Sequence, residues 1–353
     1  MIKIVLTIGR LNYGGAERRL LEFCAFTNTA PVELWIFVIS GQHGDLDAEF
    51  QALGVNIEYG QPGPTGLYLL WRLCRRIRPR VLHINAGTAA GFYALSGYLA
   101  GVRKRIGHFH STVEEMGWSG KLKKLAYELL SNIFCTQFIG VSDGTRVHRR
   151  VYRPWTTLYN GVNIPEVAKE HMEGKNVLIL GRVLRTKNVD RSITIFAQLV
   201  DADPRFHCRV VGPFVDVSLA SIESLIKELN IAENVTIVGA VDKPFEELEL
   251  ADVLLTNSTL EGMPGVVQEA LACGVPVVGT DIPGIVEIAQ RTEGVTVLPY
   301  AAGDDVWTAA IFNGLQLDRA RIRSSFRDSV FTVPQYSSAL LKIWGVPGKS
   351  STQ

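Results

Sequence analysis

The sequence predicts two α/β domains, each a doubly wound parallel sheet flanked by helices. Short β-branched runs alternate with helical patterns, and this alternation begins again near the middle of the chain. A chain of 353 residues with a hydrophobic fraction of 47% is long enough and apolar enough for two cores. We expect the first domain at 1–163 and the second at 164–334. A C-terminal helix at about 335–347 is expected to pack back on the first domain.

The first domain opens on Ile2–Ile8, an apolar run typical of a parallel strand that is covered on both faces. Gly14-Gly15 follows as a turn, and a helical pattern then covers Ala16–Phe26. The further predicted strands are Val32–Ser40, Arg80–Asn85, Arg105–His110 and Phe138–Val141. The further predicted helices are Gly87–Leu99, Gly120–Phe134 and Gly144–Arg150.

The second domain repeats the architecture of the first but not its sequence. A polar segment with weak periodicity, Asn160–Glu173, is interpreted as the linker between them. The predicted strands are Asn176–Leu180, Phe206–Val211, Val235–Val238, Val253–Thr256 and Val275–Gly279. The predicted helices are Val189–Val200, Leu219–Leu229 and the apolar segment Tyr336–Trp344 near the end. The polar tail Gly348–Gln353 is expected to fray.

Composition excludes several classes of protein. The five cysteines are scattered without a CxxC pair, which argues against a disulfide framework or a zinc site and for a reducing compartment. Neither a signal peptide nor an apolar run long enough to span a membrane is visible. We therefore expect a cytoplasmic location, with the inner face of the plasma membrane as an alternative site of action.

The two halves carry opposite charge. Residues 1–165 hold 19 Lys and Arg against 11 Asp and Glu, and the remainder is acidic. The basic residues cluster in 72–80, 103–105 and 121–124. They form either solvated helix faces or a surface that attracts an anionic lipid or an anionic acceptor. Without a recognised nucleic-acid-binding motif, nucleic acid is not an expected partner.

The richest stretch for chemistry follows the strand Val253–Thr256. Pro264-Gly265 is suited to begin a helix, whose first N–H groups would then bind a pyrophosphate. Glu269 in the early turns could reach a ribose hydroxyl, and Glu261 in the loop could accept hydrogen bonds from sugar hydroxyls. The alternative is structural, with Glu261 as a capping acid and Glu269 as an exposed one.

Other candidate groups follow strands in both halves. Arg182 and Lys187 come after Asn176–Leu180, where two cations would suit a diphosphate, or they are surface basic residues. Gly14-Gly15 lets the backbone approach a phosphate, or it is a plain turn without the nicotinamide fingerprint. His110 could exchange a hydrogen bond with a reacting hydroxyl, or it is a core or capping histidine.

Two Asp-x-Asp sequences are interpreted as structural rather than metal-binding. Asp45-Leu46-Asp47 opens a helical pattern, and Asp201-Ala202-Asp203 ends one before a proline. We expect no metal site and no cofactor.

Taken together, these residues resemble the retaining glycosyltransferases of family GT4, which have the GT-B fold of two Rossmann-like domains with a cleft between them. The resemblance covers nearly the whole chain, and its most specific part is the E-x7-E block from Glu261 to Glu269. The matching motifs are Gly14-Gly15-Ala16-Glu17, Asn160-Gly161-Val162, Gly181-Arg182 with Lys187, Glu269-Ala270, Gly274, Pro276, Thr280-Asp281 and Glu287.

The resemblance implies a role for each candidate residue. Arg182 and Lys187 would hold the donor diphosphate, Glu269 the ribose, and Glu261 the transferred sugar. His110 would lie near the reacting sugar. The remaining implied donor contacts are the backbone of Met263, Pro264, Gly265 and Val266 at the sugar, Gly239 near the base, and Gly14 and Gly15 at the phosphates from the other domain.

The sequence departs from the pattern of the family at three positions that bear on the choice of donor. Asn188 stands where the family often has glycine, Gly212-Pro213 is shorter than the common Gly-x-Gly-Pro, and Met263-Pro264 replaces a frequent Phe-Gly. The resemblance implies transfer of a sugar from a nucleoside diphosphate, with a UDP-sugar favoured, to a glycan or lipid-linked acceptor. The rivals are a sugar-nucleotide epimerase or hydrolase on the same fold and a non-catalytic scaffold subunit.

Overall fold

The computed structural model describes residues 1–111, 118–147, 149–165 and 174–347, with the backbone alone for 118–123. The chain divides into two compact units. Unit 1 comprises Met1–Gly161 and Val333–Gln353, and unit 2 comprises Val162–Thr332. Two predicted segments, 166–173 of the linker and the polar tail 348–353, lie outside the described residues.

Unit 1 is built on a sheet of parallel strands with helices on both faces. The strands are β1 (Ile2–Ile8), β2 (Val32–Val38), β3 (Asn56–Tyr59), β4 (Val81–Ile84), β5 (Lys104–Phe109), β6 (Gln137–Gly140) and β7 (Trp155–Thr157). The helices are α1 (Gly15–Phe26), α2 (Asp47–Ala52), α3 (Pro64–Ile77), α4 (Ala90–Leu99) and α5 (Trp118–Phe134). The strand order β3-β2-β1-β4-β5-β6-β7 reverses direction between β1 and β4.

Unit 2 has the same doubly wound arrangement. Its strands are β8 (Asn176–Leu180), β9 (His207–Val211), β10 (Val235–Gly239), β11 (Val253–Thr256), β12 (Val277–Thr280) and β13 (Val295–Leu298). Its helices are α6 (Val189–Ala202), α7 (Leu219–Glu228), α8 (Pro244–Leu250), α9 (Gly265–Ala272), α10 (Pro283–Ala289), α11 (Asp304–Gly314) and α12 (Arg319–Arg327). The order β10-β9-β8-β11-β12-β13 reverses direction between β8 and β11. The predicted pair of doubly wound sheets is therefore confirmed.

The last helix, α13 (Val333–Trp344), belongs to the core of unit 1. Trp344 is fully buried, and its ring meets the ring of Phe23 edge to face with centroids 5.2 Å apart. Tyr336 and Leu340, at helical spacing from Trp344, join the same cluster against α1 and β1. An apolar stripe on one face of α13 thus completes the hydrophobic layer on that side of the sheet.

Burial on both faces explains why the central strands read as continuous apolar runs. In β1, Ile4 and Leu6 pack into the layer that contains α1 and α13, whereas Val5 points into the opposite layer. Since side chains alternate along a strand, both faces need apolar residues when helices cover both.

The helix predicted at Gly144–Arg150 is wrong. Only a 3₁₀ turn, Asp143–Arg146, forms there, and residue 148 lies outside the described part. The Thr145 hydroxyl donates to the carbonyl of Ser142 at 2.5 Å, and Arg149 Nε donates to the carbonyl of Thr145 at 2.8 Å. These side-chain bonds occupy carbonyls that a continuing helix would use, and Gly144 adds a low helix propensity.

The two Asp-x-Asp segments lie at helix ends. Asp47 begins α2, and its carboxylate accepts hydrogen bonds from the N–H of Gly44 at 3.1 Å and the hydroxyl of Tyr59 at 2.6 Å. Asp203 follows α6 and pairs with Arg205 and with Lys175. Among the described residues no group of three or more His, Cys, Asp or Glu is placed to hold a metal ion.

Candidate functional site

The candidate site of unit 2 lies where its strand order reverses. β8 and β11 are parallel neighbours, and the chain leaves their carboxyl ends toward opposite sides of the sheet. A reversal of strand order is the usual ligand position in open α/β sheets. The loop 181–188 follows β8, and the loop 257–264 follows β11. The predicted residues Arg182, Lys187 and Glu261 are on these two loops.

Hydrogen bonds hold these two loops together. Asn188 adopts a left-handed backbone with φ 48°, and its Nδ2 donates to the carbonyl of Asn257 at 2.9 Å. The N–H of Thr259 donates to the carbonyl of Thr186 at 2.9 Å. Asparagine tolerates the left-handed region better than most side chains. Asn188, noted as a departure from the glycine common in the family, therefore both makes the turn and fastens the loops.

An ion pair joins two predicted residues that are far apart in sequence. Lys187 Nζ lies 2.5 Å from Glu261 Oε1, and the two side chains are 18% and 16% exposed. The ammonium carries three N–H donors, so the pair leaves donors of Lys187 for another anion. Arg182 is exposed and lines a cavity of about 10 Å³ together with Lys187 and Gly181. The structure thus brings Arg182, Lys187 and Glu261 into one neighbourhood.

The helix predicted after Pro264 begins there. Pro264 is the N-cap of α9, and Gly265 is its first residue. The first N–H groups of a helix have no partner further back in it, and they carry the positive end of its dipole. A side chain at Gly265 would meet nothing within 4 Å, so backbone is accessible there. Met263 is buried, whereas Val266 and Glu269 are half-buried.

A row of glycines lies along the carboxyl edge of neighbouring strands. Gly181, Gly212 and Gly239 follow or end β8, β9 and β10, with φ of 132°, 136° and 78°. The N–H of Gly212 donates to the carbonyl of Gly239 at 2.7 Å. A Cβ on Gly212 would come within 2.0 Å of the carbonyl oxygen of Gly181. From the sequence, Gly239 was expected near the base, whereas Gly212 was noted only as part of a shortened motif and was given no role. The signal that could have singled it out is a glycine immediately after consecutive strands.

The candidate site of unit 1 lies at the corresponding reversal, between β1 and β4. Gly14 is the N-cap of α1 and Gly15 is its first residue. A Cβ on Gly14 would come within 2.4 Å of Glu17 Oε2, whereas one on Gly15 would meet nothing within 4 Å. The predicted glycine turn therefore exists, and Gly15 exposes its backbone at the start of a helix.

Hydrogen bonds fix the tautomer of His110, which follows β5. Asn85 Nδ2 donates to the carbonyl of Thr7 at 3.0 Å, and a carbonyl only accepts. The other atom of the Asn85 amide, Oδ1, therefore faces His110 Nε2 at 2.8 Å. Nε2 must carry the proton, and Nδ1 presents a lone pair. Desolvation lowers the pKa of His110 to about 4, so the ring is neutral near pH 7.

A second chain of bonds fixes two buried histidines. Trp344 Nε1, a donor only, donates to His83 Nδ1 at 3.0 Å. His83 Nε2 then donates to His108 Nδ1 at 3.0 Å, which leaves the proton of His108 on Nε2 without a partner. Burial lowers the pKa of His83 to about 3 and that of His108 well below its usual value. The rings of His108 and His110 lie 4.1 Å apart between centroids.

Comparisons with known proteins bear on the class of this chain. Residues 163–309 match the family model described as glycosyl transferases group 1. The chain is 26% identical over 300 residues to the capsular polysaccharide biosynthesis glycosyltransferase CapH of Staphylococcus aureus. The aligned stretch covers 82% of this chain and 84% of that protein.

Solved structures show the fold. HepE of Anabaena superposes with a TM-score of 0.81 at 16% identity, over 98% of this chain and all (100%) of that one. TarM of S. aureus superposes with a TM-score of 0.78 at 14% identity, over 98% of this chain and 100% of that one. The resemblance inferred from the motifs is confirmed: this chain is a glycosyltransferase that is similar to those of family GT4, and it has the GT-B fold. Within the described residues, no helix combines the length and apolarity needed to cross a membrane.

Proposed function

We propose that the chain transfers a sugar from a nucleoside diphosphate donor, with a UDP-sugar favoured, to a glycan or lipid-linked acceptor of polysaccharide or glycolipid synthesis. The observation that carries the proposal is the convergence of Lys187, Glu261 and the start of α9 at the strand reversal of unit 2. HepE has been crystallised with UDP and with UDP-glucose, and CapH is named for capsular polysaccharide biosynthesis. Both support the donor and acceptor classes.

In the proposed donor site, charged side chains and backbone groups contact different parts of the donor. Arg182, Lys187 and the first N–H groups of α9 would stabilise the diphosphate, whose negative charge grows as it leaves. Glu269 would bind the ribose. Glu261 would accept from sugar hydroxyls while it orients Lys187 through their ion pair. The open backbone at Gly239 and Gly265 would receive the base and the sugar.

We propose retention at the anomeric carbon by front-face displacement. The bond from the anomeric carbon to the diphosphate oxygen breaks while the bond to the acceptor oxygen forms on the same face. The acceptor proton passes to the departing diphosphate, so charge and atoms balance. His110 would accept a hydrogen bond through Nδ1, the nitrogen that its contact with Asn85 leaves without a proton.

We also propose that the basic first half draws the protein to an anionic membrane surface from the cytoplasm. Long-range attraction of this kind weakens with ionic strength because salt screens exposed charges. Vesicles with and without anionic lipid, mixed with the protein at low and high salt, test it. Equal recovery of the protein with both kinds of vesicle at low salt would remove this part of the proposal.

The first experiment is a thermal-shift screen with UDP, GDP, ADP and their common sugar conjugates, because a ligand that binds the folded state stabilises it. We expect one nucleotide to raise the melting temperature and Arg182→Ala to abolish the shift. Arg185→Ala is the matched control, since Arg185 is an exposed arginine of the same loop without a proposed ligand role. A folded sample that responds to no nucleotide would favour a scaffold subunit.

Activity distinguishes the remaining rivals once the donor is known. Lys187→Ala should lower kcat by roughly 10²–10³, the cost of removing one group that stabilises developing charge. Full activity in both Lys187→Ala and Glu269→Ala would show that the site is misassigned. Donor consumption at an equal rate with and without any acceptor would instead indicate a hydrolase or an epimerase.

A further inference from the structure

A second basic site lies in unit 1, away from the strand ends that carry His110. A concave pocket of about 390 Å³ opens beside the starts of β4 and β5. Four arginines line it, namely Arg75, Arg78, Arg80 and Arg103. β4 and β5 have 4 and 6 residues, so at about 3.3 Å per residue roughly 13–20 Å separate this arginine pocket from the opposite ends of the strands.

Two tight turns build the walls of the arginine pocket. After α3, Arg78 takes a left-handed backbone with φ 52°, and its N–H donates to the carbonyl of Cys74 at 2.9 Å. The N–H of Arg80 then donates to the carbonyl of Lys3 at 2.8 Å, which ties the turn to β1. On the other wall Gly101, with φ 83°, turns the chain from α4 toward Arg103. The backbone around the four arginines is therefore held in place by the fold.

Within the part of the chain that the structure describes, none of the four guanidinium groups makes an ion pair or a hydrogen bond. By contrast, Arg76, which is close in sequence but does not line the pocket, forms an ion pair with Glu58 at 2.9 Å. Lys104, beside Arg103, donates to the carbonyl of Ile343. Burial and then the charge of Arg80 lower the pKa of Lys104.

We propose that the arginine pocket binds a phosphate or diphosphate group. Guanidinium groups form paired hydrogen bonds to phosphate oxygens, and several in one concave site suit a dianion. Binding would also relieve the mutual repulsion of four like charges. The group belongs either to a small soluble molecule or to a lipid headgroup. This inference does not rest on the proposed transferase reaction, because none of the four arginines belongs to that site.

Titration with pyrophosphate tests the pocket directly. All variants carry Arg182→Ala, so that the proposed donor site of unit 2 contributes little, and calorimetry is run at low salt. The double variant Arg78→Gln/Arg103→Gln should bind pyrophosphate about tenfold or more weakly, since it loses two charge-assisted contacts. Arg72→Gln is the control, because Arg72 is an exposed arginine of α3 that does not line the pocket. Its affinity should stay within about twofold of the parent.

A vesicle arm identifies the source of the phosphate group. The same variants are sedimented with phosphatidylcholine vesicles that contain either phosphatidic acid or no anionic lipid. Retention that the double variant loses and Arg72→Gln keeps would assign the pocket to a headgroup. Pyrophosphate binding without such retention would assign it to a soluble ligand. Equal behaviour of the double variant and Arg72→Gln in both arms, with unchanged circular dichroism, would overturn the proposal. The outcome is separate from that of the nucleotide screen, which reports on unit 2.

Discussion

Replacing Asn85 with aspartate tests how the surroundings of His110 set the charge of its ring. In the native chain the Asn85 amide accepts from His110 Nε2 at 2.8 Å and donates to the carbonyl of Thr7 at 3.0 Å. Aspartate retains the acceptor facing the imidazole and adds a negative charge. It also removes the donor to Thr7, so a carboxylate oxygen would face a carbonyl oxygen.

The expected shift follows from the distance between the groups. A negative charge within about 4–6 Å raises the pKa of a histidine by roughly 1–3 units. Since desolvation holds the pKa of native His110 at about 4, the variant should titrate between about 5 and 7. His110 would then be charged over a pH range in which it is neutral in the native protein. The lost bond to Thr7 should destabilise unit 1 by about 1–3 kcal/mol.

The assay is a proton NMR titration of the imidazole Cε1–H signals, with His110→Asn used to assign the resonance. Asn56→Asp is the matched control, because Asn56 Nδ2 also donates to a backbone carbonyl, that of Leu34 at 3.3 Å, and has no histidine beside its amide. A native His110 that titrates near 6.5, or an unchanged pKa in Asn85→Asp, would refute the reasoning.

Further predictions concern stability and reactivity. Asn188→Ala should lower the stability of unit 2 by about 2 kcal/mol, from left-handed strain and one lost bond, and Asn188→Gly by less, as read by urea unfolding of each variant. The pKa values of His83 and His108 in the folded protein lie below the value of 6.5 in the unfolded chain. The free energy of unfolding should therefore be highest above pH 6.5 and fall below it, by about 1.4 kcal/mol per pH unit for each histidine. Denaturation midpoints that do not change from pH 7 to pH 5 would contradict this. Burial raises the pKa of the five thiols, so Ellman's reagent should modify them only on unfolding; fast reaction of the native protein would be inconsistent with their burial. They are Cys24, Cys74, Cys135, Cys208 and Cys273.

The sequence predicted the central strands well and missed edges of the sheets. The strands β3 and β7 of unit 1 and β13 of unit 2 were not predicted, and each ends its sheet. All their residues are half-buried, so the sequence need not supply a continuous apolar run there. An interior strand is recognisable because helices cover both of its faces, and a short edge strand is specified mainly by its neighbour.

The same distinction applies to the candidate site. That Lys187 and Glu261 meet could be expected, because each follows a strand and the carboxyl ends of parallel strands share one edge. The role of Asn188 could not be expected, since its bond to Asn257 depends on how two loops fold against each other. The tautomer of His110 was equally inaccessible, and the sequence left open whether that ring donates or accepts.

In unit 1, His83 and His108 are held neutral by bond direction as well as by desolvation. Trp344 Nε1–H only donates, and it donates to His83. A protonated His83 has no lone pair to accept that bond and would lose the contact. Near His110, the carbonyl of Thr7 only accepts, so it orients the amide of Asn85. The Asn85 oxygen then accepts from His110 Nε2, which leaves His110 Nδ1 as an acceptor. For His83 and His108, electrostatics and geometry therefore require the same neutral state, whereas in His110 the bond to Asn85 fixes the tautomer and desolvation keeps the ring neutral. It follows that His110 is suited to act on a ligand by accepting a hydrogen bond, and not by supplying a positive charge.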